Sequence, residues 1–276
     1  MPLKLMYITN RPEVAQIAER SGVDRIFVDM EYIGKSARQG GMNTVQNHHT
    51  IEDVHIIRAV VTTSELLVRV NPIHEDSADY GSSEDEINAA IEAGADVIML
   101  PFFKSAAEVK RAAGIIDGRA RFMPLLETPE AAETIDEILA VPGVDEIHIG
   151  INDLSIGYGK RFMFELLSDG TVERLCLHCR LAGIPYGFGG VASLGNGTIP
   201  AEMILKEHYR LGSSFVILSR SFCDVNKTPD LIDIQKKFDS GIHAMRAYEQ
   251  EIAVHTEYFE ENHWKLRHAV SKIIGS

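Results

Sequence analysis

Short β-branched runs alternate with amphipathic helical patterns along most of this 276-residue chain, and few folds accept that alternation. Strands are expected at residues 3–9, 25–30, 66–70, 97–102, 120–127, 144–150, 185–189 and 214–219. Helices are expected at 12–21, 51–61, 83–93, 105–116, 129–140, 171–182 and 200–211. Pro12 stands near one helix start, Gly22 and Gly94 follow two helix ends, and Ser83 with Glu86 makes a capping pair. The strand runs (RIFVDM, LLVRV, SFVILS) are nearly continuous in apolar residues, as parallel strands are when helices cover the outside of the sheet. Eight such βα units have the size of a closed (β/α)₈ TIM barrel of the α/β class. The rival, an open doubly wound sheet, has no G-x-G-x-x-G after its first strand to support it.

No shift of composition marks a linker, so residues 1–276 are read as one TIM-barrel domain with an extended C-terminal helical tail from about 236 to 276. Ile252, Val254, Tyr258, Phe259, Trp264, Leu266 and Val270 put apolar groups on one side of that tail. The barrel units are complete before it, so the tail is expected to pack on a neighbouring subunit of a homo-oligomer.

Charge narrows the partners. With 27 Lys+Arg against 40 Asp+Glu the net charge is −13, which gives no electrostatic reason to bind nucleic acid or an anionic membrane. Three Cys cannot close a disulfide framework, which points to a reducing compartment. Residues 1–10 carry one Lys and no long apolar run, unlike a signal peptide, and no stretch is long and apolar enough to span a bilayer. A cytoplasmic protein acting on small molecules is expected.

In a parallel barrel the chemistry lies at the C-terminal ends of the strands. Glu127 and Asp153 each close one of two neighbouring strands and so point into one mouth, where two carboxylates suit a hard divalent cation such as Mg²⁺ or Mn²⁺. Their structural alternative is a helix cap for Glu127 and a turn for Asp153. Asp29 and Glu31, two apart, share a face and either hold metal-bound water or position Arg69. Arg69 ends an apolar strand, so it needs a carboxylate partner, and it is placed to bind a carbonyl or enolate oxygen. His48 and His49 fall in the polar stretch 32–50, which could bring one of them over the mouth as an acid/base. Cys176 and Cys179 have CxxC spacing but no second ligand pair, and read as helix filling rather than zinc ligands. The glycine-rich stretch 187–197 lacks the P-loop pattern and reads as a flexible loop.

Five pieces in order, RIFVDMEY, LLVRVNP, EAGADVIMLPFFKSAAEV, MPLLETPEAAETIDEILAVPGVDEIHIGINDLSIGYG and LGSSFVIL, resemble the HpcH/HpaI aldolase family, relatives of the citrate lyase β subunit. The resemblance covers roughly residues 10–220, and the block 123–159 is its most specific part. It implies a metal-dependent barrel enzyme that reversibly cleaves a 4-hydroxy-2-oxo acid to pyruvate, or a related 2-oxo acid, and an aldehyde. Glu127 and Asp153 would ligate Mg²⁺, Mn²⁺ or Co²⁺, and Arg69 would bind the keto and enolate oxygen. The backbone of Gly150, Asn152 and Asp153 would hold the substrate carboxylate. The resemblance also implies a hexamer or trimer of dimers, with the tail exchanged between subunits.

Two features depart from the family's aldolases. Tyr32 stands where they carry a proton-transferring His after the D-x-E pair, so Tyr32 is the candidate hydrogen-bond donor to the aldehyde oxygen. The segment 116–120 is short, as in the citrate-lyase-like branch. Two other readings follow. One is an acyl-CoA ester lyase, with Lys35, Arg38, Lys160 and Arg161 on the phosphates. The other is a catalytically altered barrel that binds a ligand.

Overall fold

The computed structural model describes residues 1–35, 49–78, 80–228, 230–255 and 257–275. Eight parallel strands close into a barrel in sequence order: β1 Lys4–Ile8, β2 Arg25–Asp29, β3 Glu65–Arg69, β4 Val97–Leu100, β5 Arg121–Leu126, β6 Ile147–Ile149, β7 Tyr186–Val191 and β8 Phe215–Leu218. β1 pairs with β8 and so leaves no edge. All eight expected strands are present, and helices lie outside them between successive strands.

Side chains alternate across each strand, so the outward set packs on the helices and the inward set fills the bore. The inward set is layered. Met6, Phe27, Leu67, Val97, Met99, Met123, Leu125 and Phe215 form its apolar middle. Below them, at the N-terminal ends of the strands, Arg25 is fully buried and donates to Glu65 at 2.6 Å and to both oxygens of Glu146 at 2.6 and 2.7 Å. Lys4 lies 3.6 Å from Glu65, and Arg121 pairs with both acids. Arg25 also sits over the Phe215 ring. These charges plug the barrel floor, and the mouth is left at the other end.

β7 is the tight wall of the barrel. A Cβ at Gly187 would overlap the Phe215 carbonyl, and Gly189 takes a positive φ of 52° where the β7–β8 register shifts. His148, inward on β6, is buried and stacks near Phe215, its Nε2 3.2 Å from the Gly189 carbonyl. His208, on the helix Ala201–Leu211, stacks on Phe188 with ring centroids 3.8 Å apart. Burial lowers the pKa of both imidazoles to about 3.

Three segments differ from the sequence expectation. The helix expected at 129–140 is two, Pro129–Glu133 and Ile135–Leu139. Between them the Thr134 hydroxyl donates back to the Glu130 carbonyl, competing with the helical ladder. Residues after β6, for which the sequence predicts no helix, form the short helix Ile151–Gly157. The tail is two helices, Leu231–Ala253 and Phe259–Ile274.

The premise that the barrel had no surface left for this tail is corrected. Leu231–Ala253 packs on the helix Pro12–Arg20 and is tied to β1 by Arg246, which donates to the Leu3 carbonyl, and by Glu249, which accepts the Leu3 N–H. Phe259–Ile274 packs on the helix Ala201–Leu211, where Asn262 donates to Glu207 at 2.8 Å and Leu266 and Val270 are buried. Most of the apolar stripe is thus consumed within the chain, and Val254 and Trp264 remain exposed. Among the described residues no helix is long and apolar enough to cross a membrane.

Replacing Arg25 by Ala would remove the buried partner of two acids at the barrel floor and leave them only the more exposed Lys4 and Arg121. The expected loss is about 3–5 kcal/mol in urea unfolding. A loss below ~1 kcal/mol would show that the plug contributes little. Acid should also destabilise the fold. An unfolded His binds its proton near 6.5, whereas His148 and His208 resist protonation down to about 3. Stability should therefore be full above pH ~6.5 and fall as pH drops through that window, because the unfolded state then binds more protons. A flat profile from pH 7 to 5 in both the wild type and His148→Gln would contradict this.

Candidate active site

Asp29 ends β2 and Arg69 ends β3, and the strand register pairs them directly. Arg69 donates through Nε and Nη2 to the two oxygens of Asp29, each at 2.8 Å. Its Nη1 lies 3.4 Å from Glu31. Lys35 completes the group, with Nζ 3.0 Å from Asp29 and 3.3 Å from Glu31. Asp29, Glu31 and Lys35 are buried, and each charge of the group has an opposite charge beside it. Burial opposes the Arg69 charge. Asp29, Glu31 and, more weakly, Glu127 outweigh it and raise the guanidinium pKa. Asp29 is thereby a positioning residue. It commits two of the roughly five N–H bonds of Arg69 and fixes the plane of the fork.

A second relay holds the loop after β2. Asn71 accepts the N–H groups of Tyr32 and Ile33 at 3.0 and 2.9 Å, and donates its own N–H and Nδ2 to Glu86. Tyr32 therefore faces away from the Arg69 cleft. It is partly exposed and meets the ring of Tyr80 edge to face, with His74 on the other side of Tyr80. Its hydroxyl pKa is raised by burial and by Glu86, so still less phenolate is present at neutral pH. His49 is not over the mouth either. It is buried behind β2, where its Nδ1 accepts the Asp29 N–H at 3.0 Å, and burial lowers its pKa. His48 lies outside the described residues.

Glu127 follows β5 and is buried. It does not cap the next helix, because the Thr128 side chain takes that role on Ala131 N–H. Its Oε1 accepts the Phe102 N–H at 3.0 Å. Phe102 holds a positive φ of 49°, a strained conformation for a bulky residue, and that turn after β4 aims its N–H at the carboxylate. The other oxygen lies over Gly150, where a Cβ would come within 2.8 Å of Glu127 Oε2. Gly150 is therefore needed as glycine beside Glu127.

Asp153 does not close a strand. It lies in the first turn of the helix Ile151–Gly157, whose N-cap is Gly150. The Asn152 amide donates to it at 2.9 Å. Glu127 and Asp153 share the wall of a cleft of about 490 Å³, together with Phe102, Lys104 and Glu130. Lys104 lies 3.1 Å from Glu130. Among the described residues no group of three or more His, Cys, Asp or Glu side chains forms a ready metal cluster. The Cys176 and Cys179 thiols are buried on the helix Thr171–Ala182, and burial pushes Cys179 up to about 12.

The structure thus brings Asp29, Glu31 and Arg69 together, and separately Glu127, Gly150, Asn152 and Asp153. Sequence reasoning missed Asn71 and Phe102, and gave Glu86 to a capping pair with Ser83, whereas Ser82 and Asp85 make that cap and Glu86 accepts from Asn71. Asn71 was in view within LLVRVNP, but nothing local signals an amide that ties two loops together.

A family model described as HpcH/HpaI aldolase/citrate lyase matches residues 4–196. No curated protein matches by sequence. A solved HpcH/HpaI aldolase/citrate lyase family protein from Burkholderia cenocepacia J2315 superposes with a TM-score of 0.63 at 16% identity, over 85% of this chain and 95% of that one. The HpcH/HpaI aldolase from Desulfitobacterium hafniense DCB-2 gives 0.60 at 16%, over 85% and 93%. RipC from Yersinia pestis gives 0.53 at 18%, over 86% and 94%. At these identities the structural likeness is one of fold. The family match runs through Asp29 and Arg69 at their strand ends and through Glu127 and Asp153 after β5 and β6, and the chain belongs to the HpcH/HpaI aldolase/citrate lyase family.

Proposed function

We propose that the protein is a divalent-metal-dependent carbon–carbon lyase, reversibly cleaving a 4-hydroxy-2-oxo acid to pyruvate or a related 2-oxo acid and an aldehyde. The observation that carries this reading is Arg69, oriented by Asp29 at a barrel mouth it shares with Glu127. The donor set fits a hard cation. Glu127 and Asp153 bring two carboxylates to one cleft wall, and Gly150 leaves the space that one of them occupies. Those two residues would hold Mg²⁺, Mn²⁺ or Co²⁺, which when bound supplies Lewis-acid polarisation of the keto oxygen. Arg69 donates to the oxygen on which enolate charge grows, and its fixed plane removes the cost of reorganising in the transition state. The amides of Asn152 and Asp153, in the first turn of their helix, are the donors for the substrate carboxylate.

The acyl-CoA reading is weakened by what its basic residues do. Lys160 pairs with Asp169 at 2.7 Å, Arg161 reaches the Ile274 carbonyl, and Lys35 is buried against Asp29 and Glu31. Arg38 lies outside the described residues. A cytoplasmic location and a homo-oligomer belong to the same proposal.

Glu127→Gln and Asp153→Asn are expected to lower metal-stimulated pyruvate release by on the order of 10²-fold or more while thermal unfolding of the metal-free protein is unchanged. Gly150→Ala should weaken Mn²⁺ binding too, since its methyl group displaces the Glu127 carboxylate. Mn²⁺ affinity unaltered in all three variants would place the cation elsewhere. Arg69→Lys keeps the charge and loses the fork, and kcat is expected to fall by on the order of 10²-fold. An unchanged kcat with a lower Tm would reduce Arg69 to an ion pair of the scaffold.

A further inference from the structure

A cleft larger than the one at Glu127 and Asp153 lies away from those acids. It lies over β7 and β8 and measures about 1000 Å³. Its walls are the loops that follow those two strands and one face of the helix Leu231–Ala253. In a (β/α)₈ barrel these loops are the frequent place for a phosphate group. The lining suits one. Arg220, Lys227 and Lys237 bring three cations, and Ser193, Ser219 and Ser221 bring hydroxyls. Asp224 is the acid in that wall, 3.5 Å from Lys227. In a chain of net charge −13 such a local excess of positive charge runs against the average.

The cleft is also built. Lys237 donates to the Thr228 hydroxyl at 2.7 Å, which ties the ammonium to the β8 loop. Phe222 packs so closely on Gly241 that a Cβ there would come within 2.9 Å of its ring. A glycine in the interior of a helix costs about 1 kcal/mol, and here it lets the β8 loop settle onto the helix and form the cleft floor. Ser219, Arg220, Cys223 and Asp224 line this cleft and also a second one, of about 320 Å³, that holds Asp29, Lys35 and Arg69. The two spaces therefore adjoin along these four residues.

We propose that this cleft is a phosphate subsite and that it takes the phosphomonoester end of a substrate whose reacting end lies at Arg69, so that the aldehyde half is a phosphorylated one. The phosphate site stands on its own geometry, and only its assignment to the aldehyde half rests on the lyase reading. Three terminal oxygens carrying close to two negative charges match a set of cations and hydroxyls better than a neutral sugar end does.

The test uses the full chain and glycerol 3-phosphate, which has the phosphate and no reactive carbonyl. Calorimetric titration is expected to give saturable binding, no binding of glycerol, and at least a tenfold weaker Kd in each of Lys237→Gln and Arg220→Gln, with Asp153→Asn unaffected. Absence of binding, or affinity in both variants equal to that of the wild type, overturns the subsite. Aldol addition of pyruvate then compares glyceraldehyde 3-phosphate with glyceraldehyde. A KM at least tenfold lower for the phosphorylated aldehyde, lost in Lys237→Gln, supports the assignment. Equal KM values, or displacement of glycerol 3-phosphate by coenzyme A but not by its 3′-dephospho form, overturn it. No turnover of either aldehyde, with binding intact, counts against the lyase reading and supports the phosphate site.

Discussion

One strand register governs both ends of this barrel. Along the inner face of β2 and β3 the paired residues are Arg25 with Glu65, Phe27 with Leu67, and Asp29 with Arg69. Each pair is complementary, and the charge order reverses from floor to mouth. A slip of either strand by one residue would turn its three inward side chains outward and break all three pairs. Ions inside a narrow bore are tolerated only when paired, and this register pairs them without a loop or a bound group. The apolar layer between the two ion pairs keeps water from joining them, and Arg69 lies over the Phe27 ring and Arg25 over that of Phe215.

The mouth divides its labour between strands. Asp29 has both oxygens engaged by Arg69 and Lys35, so it sets the orientation of a cation. Glu127 is held from behind by a backbone N–H and set against a glycine, which leaves its placement to the main chain. Orientation by side chains on one side and by backbone on the other gives two rigid supports. Tyr32 and His49 belong to neither and pack into the region between the β2 and β3 loops.

Much of this was legible because it repeats. Strands such as RIFVDM and LLVRV declare themselves by apolar continuity, and a closed barrel then fixes which ends meet. Arg69 and Glu127 were legible for the same reason, as polar residues ending apolar strands. Asp153 was found but misplaced, since a seven-residue helix after Gly150 has too little periodicity to see. The floor plug was overlooked because Arg25, Glu65, Arg121 and Glu146 stand at strand starts, where charged residues are usually solvated. The tail was misjudged because its amphipathic stripe says that it must be covered and not by what. The groove beside Ala201–Leu211 is a tertiary feature with no local signature.

The sealed floor also bears on how such a protein can change. Its ion pairs and the apolar layer above them lie beneath every group assigned to chemistry, so the reserve of folding energy and the reactive surface occupy opposite poles of the same strands. Loops at the mouth can be lengthened, shortened or exchanged while the closure of the sheet is left alone. A lineage built on this scaffold is free to try new substrates without solving the folding problem again.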